Sequence, residues 1–166
     1  EHCRAEGTGG RGIIFMSTPQ NPSDLDILLE VGIPAIKIGS DDLTNHDMLR
    51  YCARDDVGLP ILLSCGMGEI LDIDAARNII GEQGALLVCT SQYPTPPSEC
   101  NLARIRTLRE IYSTPIGFSD HTGTLMAASM AVALGACIFE AHFMPLICYE
   151  CADKAFAFAH SEQRHP

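Results

Sequence analysis

Short apolar runs that each end in residues able to hydrogen-bond, titrate or bind metal constrain this chain more than any other feature. They read Phe15-Met16-Ser17-Thr18-Pro19, Ile36-Lys37-Ile38-Gly39-Ser40, Leu63-Ser64-Cys65-Gly66-Met67, Cys89-Thr90-Ser91, Phe118-Ser119-Asp120-His121-Thr122 and Phe139-Glu140-Ala141-His142-Phe143. Runs of Ile, Val, Leu and Phe without a polar alternation suit strands buried on both faces, which is the habit of parallel sheets. Strands are expected at about 12–17, 35–39, 60–64, 85–90, 115–119 and 136–141. Helical patterns separate them. Residues 23–31 begin at a Ser23 N-cap and stop at Gly32, and 44–54 begin at Thr44 or Asn45 with Met48, Leu49 and Cys52 on one face. Residues 70–83 space Ile70, Ile73, Ala76, Ile79 and Ile80 helically, and 99–112 do so with Leu102, Ile105, Leu108 and Ile111. Residues 124–134, small and apolar throughout, suit a tightly packed helix.

Alternating strands and helices imply a parallel sheet, either a barrel or an open doubly wound sheet. An open sheet concentrates its site at one switch point, whereas a barrel gathers side chains from nearly every strand end. Polar tips on successive strands therefore favour a TIM-type (β/α)8 barrel. A barrel needs eight strands. The sequence supplies about six βα units, so the expected barrel is incomplete, without its first two strands. Residues 1–143 are expected to form this partial catalytic barrel, and 144–166 a divergent C-terminal tail.

The chain has 166 residues, 46% hydrophobic and 19% charged, enough for one domain with a true core. A net charge of −10 argues against a nucleic-acid partner, which calls for a basic face. No apolar run reaches the length of a membrane span, and the first residues do not read as a signal peptide. Of eight cysteines, Cys52, Cys89 and Cys137 fall in expected helix or strand cores, where thiols act as small hydrophobes. A reducing cytoplasm is the expected location.

His121 and His142 sit at neighbouring strand ends. Either they are unrelated rim histidines, or they converge on a divalent ion such as Mn²⁺, Co²⁺ or Zn²⁺ with Asp120 supporting one imidazole. Lys37, between Ile36 and Ile38, either snorkels to the rim or serves as a cation for phosphate or carboxylate. Hydroxyls at Ser17 or Thr18, Ser40, Ser64, Ser91 and Ser119 recur at the same level, and with one lysine can hold a phosphate. Asp41 and Asp42 suit acid/base work or the capping of the next helix. The loop Tyr93-Pro94-Thr95-Pro96-Pro97 is either a pocket wall or a stiff connection. Cys148 and Cys151, with His160 and His165, approach a zinc-finger spacing but stand too close together for one.

Taken in order, the stretches Gly12 to Pro19, Lys37-Ile38-Gly39-Ser40, Ile61 to Met67, Cys89-Thr90-Ser91-Gln92-Tyr93-Pro94-Thr95-Pro96, Gly117 to Thr122 and Glu140-Ala141-His142-Phe143 resemble the sialic acid synthase (N-acetylneuraminate synthase) family. The resemblance covers about residues 10–143. It implies a (β/α)8 barrel that condenses phosphoenolpyruvate with an N-acetylated hexose such as N-acetylmannosamine, releasing phosphate. It also implies a divalent metal (Mn²⁺, Mg²⁺ or Co²⁺) held by His121 and His142. Thr18, Lys37, Ser40, Ser64 and Ser119 match the family's phosphoenolpyruvate contacts. Asp42 stands where the family usually has an acid/base glutamate, Ser91 where some members have asparagine, and Tyr93 at a sugar-pocket position. The full-length family member is expected to be a homodimer. The segment Met144-Pro145-Leu146-Ile147-Cys148-Tyr149 departs from the family's Pro-Gly-Pro-Asp-like loop. Two other outcomes stand beside this one: a catalytically inactive truncated relative that acts as a binding or partner protein, and a different metal-dependent lyase or aldolase working through a Lys37 Schiff base.

Overall fold

The computed structural model describes residues 13–145 and 150–159. The described residues divide into two compact units, one built from 13–63 together with 68–84, the other from 64–67 together with 85–145 and 150–159.

In the first unit, helix α1 (Pro22–Val31) starts at Asn21, whose side chain accepts the Asp24 N–H at 3.1 Å. Asn21, not Ser23, is thus the N-cap, and Pro22 occupies the first turn, where no backbone donor is needed. Gly32 closes the helix at φ +81°, a left-handed conformation that glycine adopts without penalty. Strand β1 (Ile36–Ile38) runs parallel to β2 (Ile61–Ser64), with Ile36 beside Ile61 and Ile38 beside Leu63. All four of these side chains are buried. Lys37 pairs with Leu62 on the other, half-buried face. Between the strands, α2 (His46–Cys52) is capped by Asn45 and buries Met48, Leu49 and Cys52. After β2, α3 (Ile70–Ile80) opens on a capping box of Glu69 and Asp72 and buries Ile73, Ala76 and Ile80, while Ile70 stays exposed.

The expected strand at 12–17 does not form. Residues 13–17 carry no ladder, and Ile13, Ile14 and Phe15 are exposed. An apolar run becomes a strand only when a neighbour takes up its backbone donors and acceptors, and no such partner occurs among the described residues. The remaining five of the six expected strands do form.

In the second unit, β3 (Ala85–Val88), β4 (Ile116–Asp120) and β5 (Phe139–Ala141) lie parallel in that order. The registers are Leu86 to Ile116 and Phe118 to Phe139. The Cys65 N–H donates to the Leu87 carbonyl at 2.9 Å on the other side of β3. Every residue of β3 and β4 is buried, as a parallel sheet covered on both faces requires. Gly117 has to be glycine for a packing reason: a Cβ there would stand 2.7 Å from the Ile138 carbonyl oxygen. Helices α4 (Ala103–Ile111) and α5 (Leu125–Ala133) pack on β4.

The expected tight packing of α5 is not observed. Only Ala127 and Ala131, one turn apart, are buried, and Leu125, Met126, Met130 and Val132 face outward. A helix with apolar residues on all sides can bury just the stripe that meets its sheet. Cys52 and Cys89 are buried as expected, but Cys137 precedes β5 and is exposed. After β5, the short strand β6 (Phe143–Met144) pairs in parallel with β7 (Phe158–Ala159), which brings residues 150–159 back beside His142. Among the described residues, no helix is long and apolar enough to cross a membrane.

Candidate functional site

The site geometry centres on the ends of β4 and β5 in the second unit. Side chains two apart in a strand share a face, and register partners in neighbouring strands do too. Ser119 and His121 therefore lie on one face. Glu140, the partner of Ser119, lies beside them, and His142 follows two residues on. The Ser119 hydroxyl stands 3.4 Å from His121 Nε2.

Each imidazole is tied at Nδ1. That of His121 is 2.8 Å from the Thr90 carbonyl oxygen, which can only accept, so Nδ1 carries the proton and Nε2 presents its lone pair. That of His142 meets the Asp153 carboxylate at 2.9 Å, which holds the ring's orientation. The two ring centroids are 5.4 Å apart. Tyr93 lies over His121 at 4.2 Å, and Phe156 meets the His142 ring edge-on at 4.7 Å. His121 is buried, and burial is the main cause that pushes its pKa below the usual 6.5. The nearby His142 acts in the same direction, while the Thr90 carbonyl, Glu140 and Asp120 oppose it. The ring is held neutral, as a metal ligand or acceptor must be.

The loop holding Tyr93 is locked to this rim. Thr95 is buried, its N–H donates to the His121 carbonyl at 2.9 Å, and its hydroxyl donates to Gln92 O at 2.7 Å. Tyr93, followed by a cis bond to Pro94, is 54% exposed, so its ring is a wall with one open side. Ser64 and Ser119 are buried in the second unit, whereas Ser91 is exposed.

In the first unit, Thr18, Lys37, Ser40 and Asp42 are half-buried. The Lys37 ammonium donates to the Ile38 carbonyl at 3.1 Å. Ser40 opens a single 3-10 turn, Ser40–Asp42. Asp42 accepts from the Asn45 side-chain amide at 2.8 Å, so it takes part in the turn leading into α2, the capping role weighed against acid/base work.

Asp120 does not meet an imidazole. Its Oδ1 accepts the Thr122 N–H at 2.8 Å, and the supporting roles fall instead to Thr90 and Asp153. Asp153, Phe156 and Glu140 escaped sequence reasoning. Glu140 is signalled by its two-residue spacing from His142, but Asp153 and Phe156 lie in a segment whose departure from the expected loop hides them. Cys148, His160 and His165 lie outside the described residues, and Cys151 is half-buried.

Two imidazoles anchored at Nδ1, with the Ser119 hydroxyl 3.4 Å from His121 Nε2, suit a divalent transition ion that keeps open positions. No group of three or more His, Cys, Asp or Glu that could hold an ion occurs among the described residues, so such a site would have two protein ligands there. One Asp120 oxygen is buried with no hydrogen-bond partner.

Residues 3–165 match the NeuB family. The chain belongs to that family. Its relatives include an uncharacterised protein of Methanocaldococcus jannaschii, 43% identical over 136 residues, 80% of this chain and 40% of that protein. An N,N'-diacetyllegionaminic acid synthase of Campylobacter jejuni is 38% identical over 137 residues, covering 79% of this chain and 40% of the synthase. An N-acetylneuraminate-9-phosphate synthase of Drosophila melanogaster is 34% identical over 147 residues, covering 86% and 38%. The chain thus spans about two-fifths of the length of these curated relatives.

Among solved structures, the N-acetylneuraminic acid synthetase of Leptospira borgpetersenii superposes with a TM-score of 0.84 at 34% identity, over 89% of this NeuB-family chain and 52% of the synthetase. A truncated 3-deoxy-D-arabino-heptulosonate 7-phosphate synthase of Thermotoga maritima, at 17% identity and a TM-score of 0.72, shares the fold. The parallel α/β architecture is common to all three, and the named synthases among the relatives make nonulosonic acids.

Proposed function

We propose that this chain carries the active-site part of a nonulosonic acid synthase that condenses phosphoenolpyruvate with an N-acetylated hexose of the N-acetylmannosamine type and releases phosphate. The observation that carries the proposal is the imidazole pair, each ring tied at Nδ1, under the Tyr93 ring. His121 and His142 would hold a divalent metal such as Mn²⁺, Mg²⁺ or Co²⁺. Once bound, it supplies Lewis-acid polarisation of the sugar aldehyde.

The remaining roles follow from residue chemistry. In the condensation, C3 of phosphoenolpyruvate bonds to the aldehyde carbon, water adds at C2, and phosphate leaves from C2. Lys37 and the hydroxyls of Thr18, Ser40, Ser64 and Ser119 hold the phosphate and carboxylate while their charge changes. Asp42 takes the proton of the attacking water. Tyr93 and Ser91 border the sugar. A cytoplasmic location and a homodimeric full-length protein belong to the same proposal.

The test is release of inorganic phosphate by the purified, folded chain given phosphoenolpyruvate, N-acetylmannosamine and Mn²⁺. Release that depends on all three supports the synthase. Calorimetric binding of phosphoenolpyruvate and Mn²⁺ without release supports the alternative of a binding or partner protein. A folded chain that neither binds nor turns over rejects both.

A further inference from the structure

Thr95 is 4% exposed, while every other residue from Ser91 to Glu99 is exposed. One polar side chain is thus drawn out of water in a loop that otherwise faces it, and a buried hydroxyl needs a partner. Thr95 has several. Its hydroxyl has one proton to give, which goes to the Gln92 carbonyl at 2.7 Å, with the Thr90 carbonyl beside it at 3.3 Å. Its N–H donates to the His121 carbonyl at 2.9 Å.

These bonds make the loop grip His121 twice. At its start, the Thr90 carbonyl oxygen is 2.8 Å from Nδ1 of the ring, and at its end the Thr95 N–H holds the main chain of the same histidine. Thr90 is fixed further, because its carbonyl accepts the Gln92 N–H at 2.9 Å and its hydroxyl donates to Glu99 O at 2.8 Å. Between the two grips, the Tyr93 ring lies 4.2 Å from the imidazole. More than half of Tyr93 is exposed, so burial alone does not hold it there. The Thr95 hydroxyl is the crosspiece that ties the end of this loop back to its start.

We propose that Thr95 is a positioning residue: its buried hydroxyl keeps the Thr90 carbonyl on His121 Nδ1 and the Tyr93 ring over the same imidazole, so that the tautomer, direction and cover of the ring are set together before any substrate arrives. A carbonyl can only accept, so while it stays on Nδ1 the neutral ring keeps Nε2 unprotonated. This rests on the reading of His121 as a metal ligand and of Tyr93 as a wall of the sugar site.

Thr95→Val and Thr95→Ser in the full chain test this. Valine has nearly the shape of threonine and cannot donate, whereas serine keeps the hydroxyl and drops the methyl. Nitrogen and proton magnetic resonance of the His121 ring, taken without metal at about pH 8 where imidazoles are neutral, reads the tautomer and the ring-current shift from Tyr93. Urea unfolding reads stability, and Co²⁺ titration followed by visible absorption reads the ligand role. The parent and the serine variant are expected to show one Nδ1–H tautomer and upfield-shifted ring protons. The valine variant is expected to show both tautomers in exchange and to lose most of the upfield shift. It should bind Co²⁺ roughly tenfold or more weakly, the usual effect of losing a group that orients a ligating histidine.

A folded valine variant with the parental tautomer and shift overturns the proposal even if it is less stable, because lost stability alone marks a merely structural hydroxyl. A serine variant that behaves like valine overturns the role of the hydroxyl. Where the valine variant does not fold, mixed tautomers or unshifted ring protons in the parent or the serine variant overturn the proposal, and one shifted tautomer in both supports it. A parent chain that binds no Co²⁺ removes the ligand reading, while the ring spectra of the variants still decide the positioning.

Discussion

Phe156 is the residue whose removal should detach residues 150–159 from the site. Its side chain is only 6% exposed and meets both Tyr93, at 5.3 Å between ring centroids, and His142. The segment's other anchors include the two-residue pairing of β6 with β7, the Phe158 N–H to His142 O bond at 2.8 Å, the Phe158 ring 6.1 Å from that of Phe139, and the half-exposed Asp153 carboxylate. An exposed ion pair of this kind contributes less than about 1 kcal/mol. Truncating a packed phenylalanine to alanine costs about 3–5 kcal/mol. Taking about 3 kcal/mol for a site near the surface, and about 1.4 kcal/mol per factor of ten, the opening equilibrium should shift by about a hundredfold. Because the loss is local, it should appear as local opening and not as global unfolding. In Phe156→Ala, hydrogen exchange at the Phe158 amide should speed up about a hundredfold, while the Leu86 amide, bonded to Pro115 O at 3.0 Å within the sheet, keeps its protection. Unchanged protection at Phe158 would refute the anchoring role, and equal losses at Phe158 and Leu86 would show that Phe156 belongs to the global core.

Three further outcomes are expected. Asp153→Ala should weaken Co²⁺ or Mn²⁺ binding by about 10–100-fold with little change in the urea midpoint. A large stability loss with unchanged metal affinity would contradict its orienting role on His142. The pKa of His121 is depressed by burial, so its neutral form favours the fold. The stability it contributes is complete above the unfolded value of about 6.5 and is lost as pH falls from there through the folded value. Urea midpoints of the parent should therefore drop on acidification below about pH 6.5 more steeply than those of His121→Asn, and parallel curves would count against this. Among the thiols of the described residues, exposed Cys137 should react first with a disulfide reagent. Cys52 should react last, because burial pushes its pKa up to about 11; mass spectrometry of partly labelled chain reads the order.

Much of the architecture was legible because parallel strands and their helices impose strong, separate patterns. Five of the expected strands, and the helices between them, appear near their expected positions, since each combines a buried apolar run with glycine, asparagine or proline punctuation. The run at 13–17 misled because composition reports the capacity to pair and not the presence of a neighbour. The α5 pattern misled because a helix apolar on every side gives no direction to its burial. At the site, the two histidines were visible from their place after β4 and within the motif that ends β5. Their supports were not: Thr90 acts through a backbone carbonyl, which any residue carries. Asp153 acts across eleven residues, from a turn that no periodicity announces. Asp120 was noticed for the right neighbourhood and the wrong contact, because adjacency in sequence sends successive strand side chains to opposite faces.

The missing side chain at position 117 has an effect beyond its own contact. With only hydrogen there, β4 can lie flush beside the backbone that leads into β5, and the positions two and four residues further along inherit that height. Anyone wishing to retune the chemistry of this rim has latitude at the exposed Ser91. At residue 117 there is none, because even one methyl group would wedge the two strands apart and lift a serine and an imidazole out of reach of their neighbours.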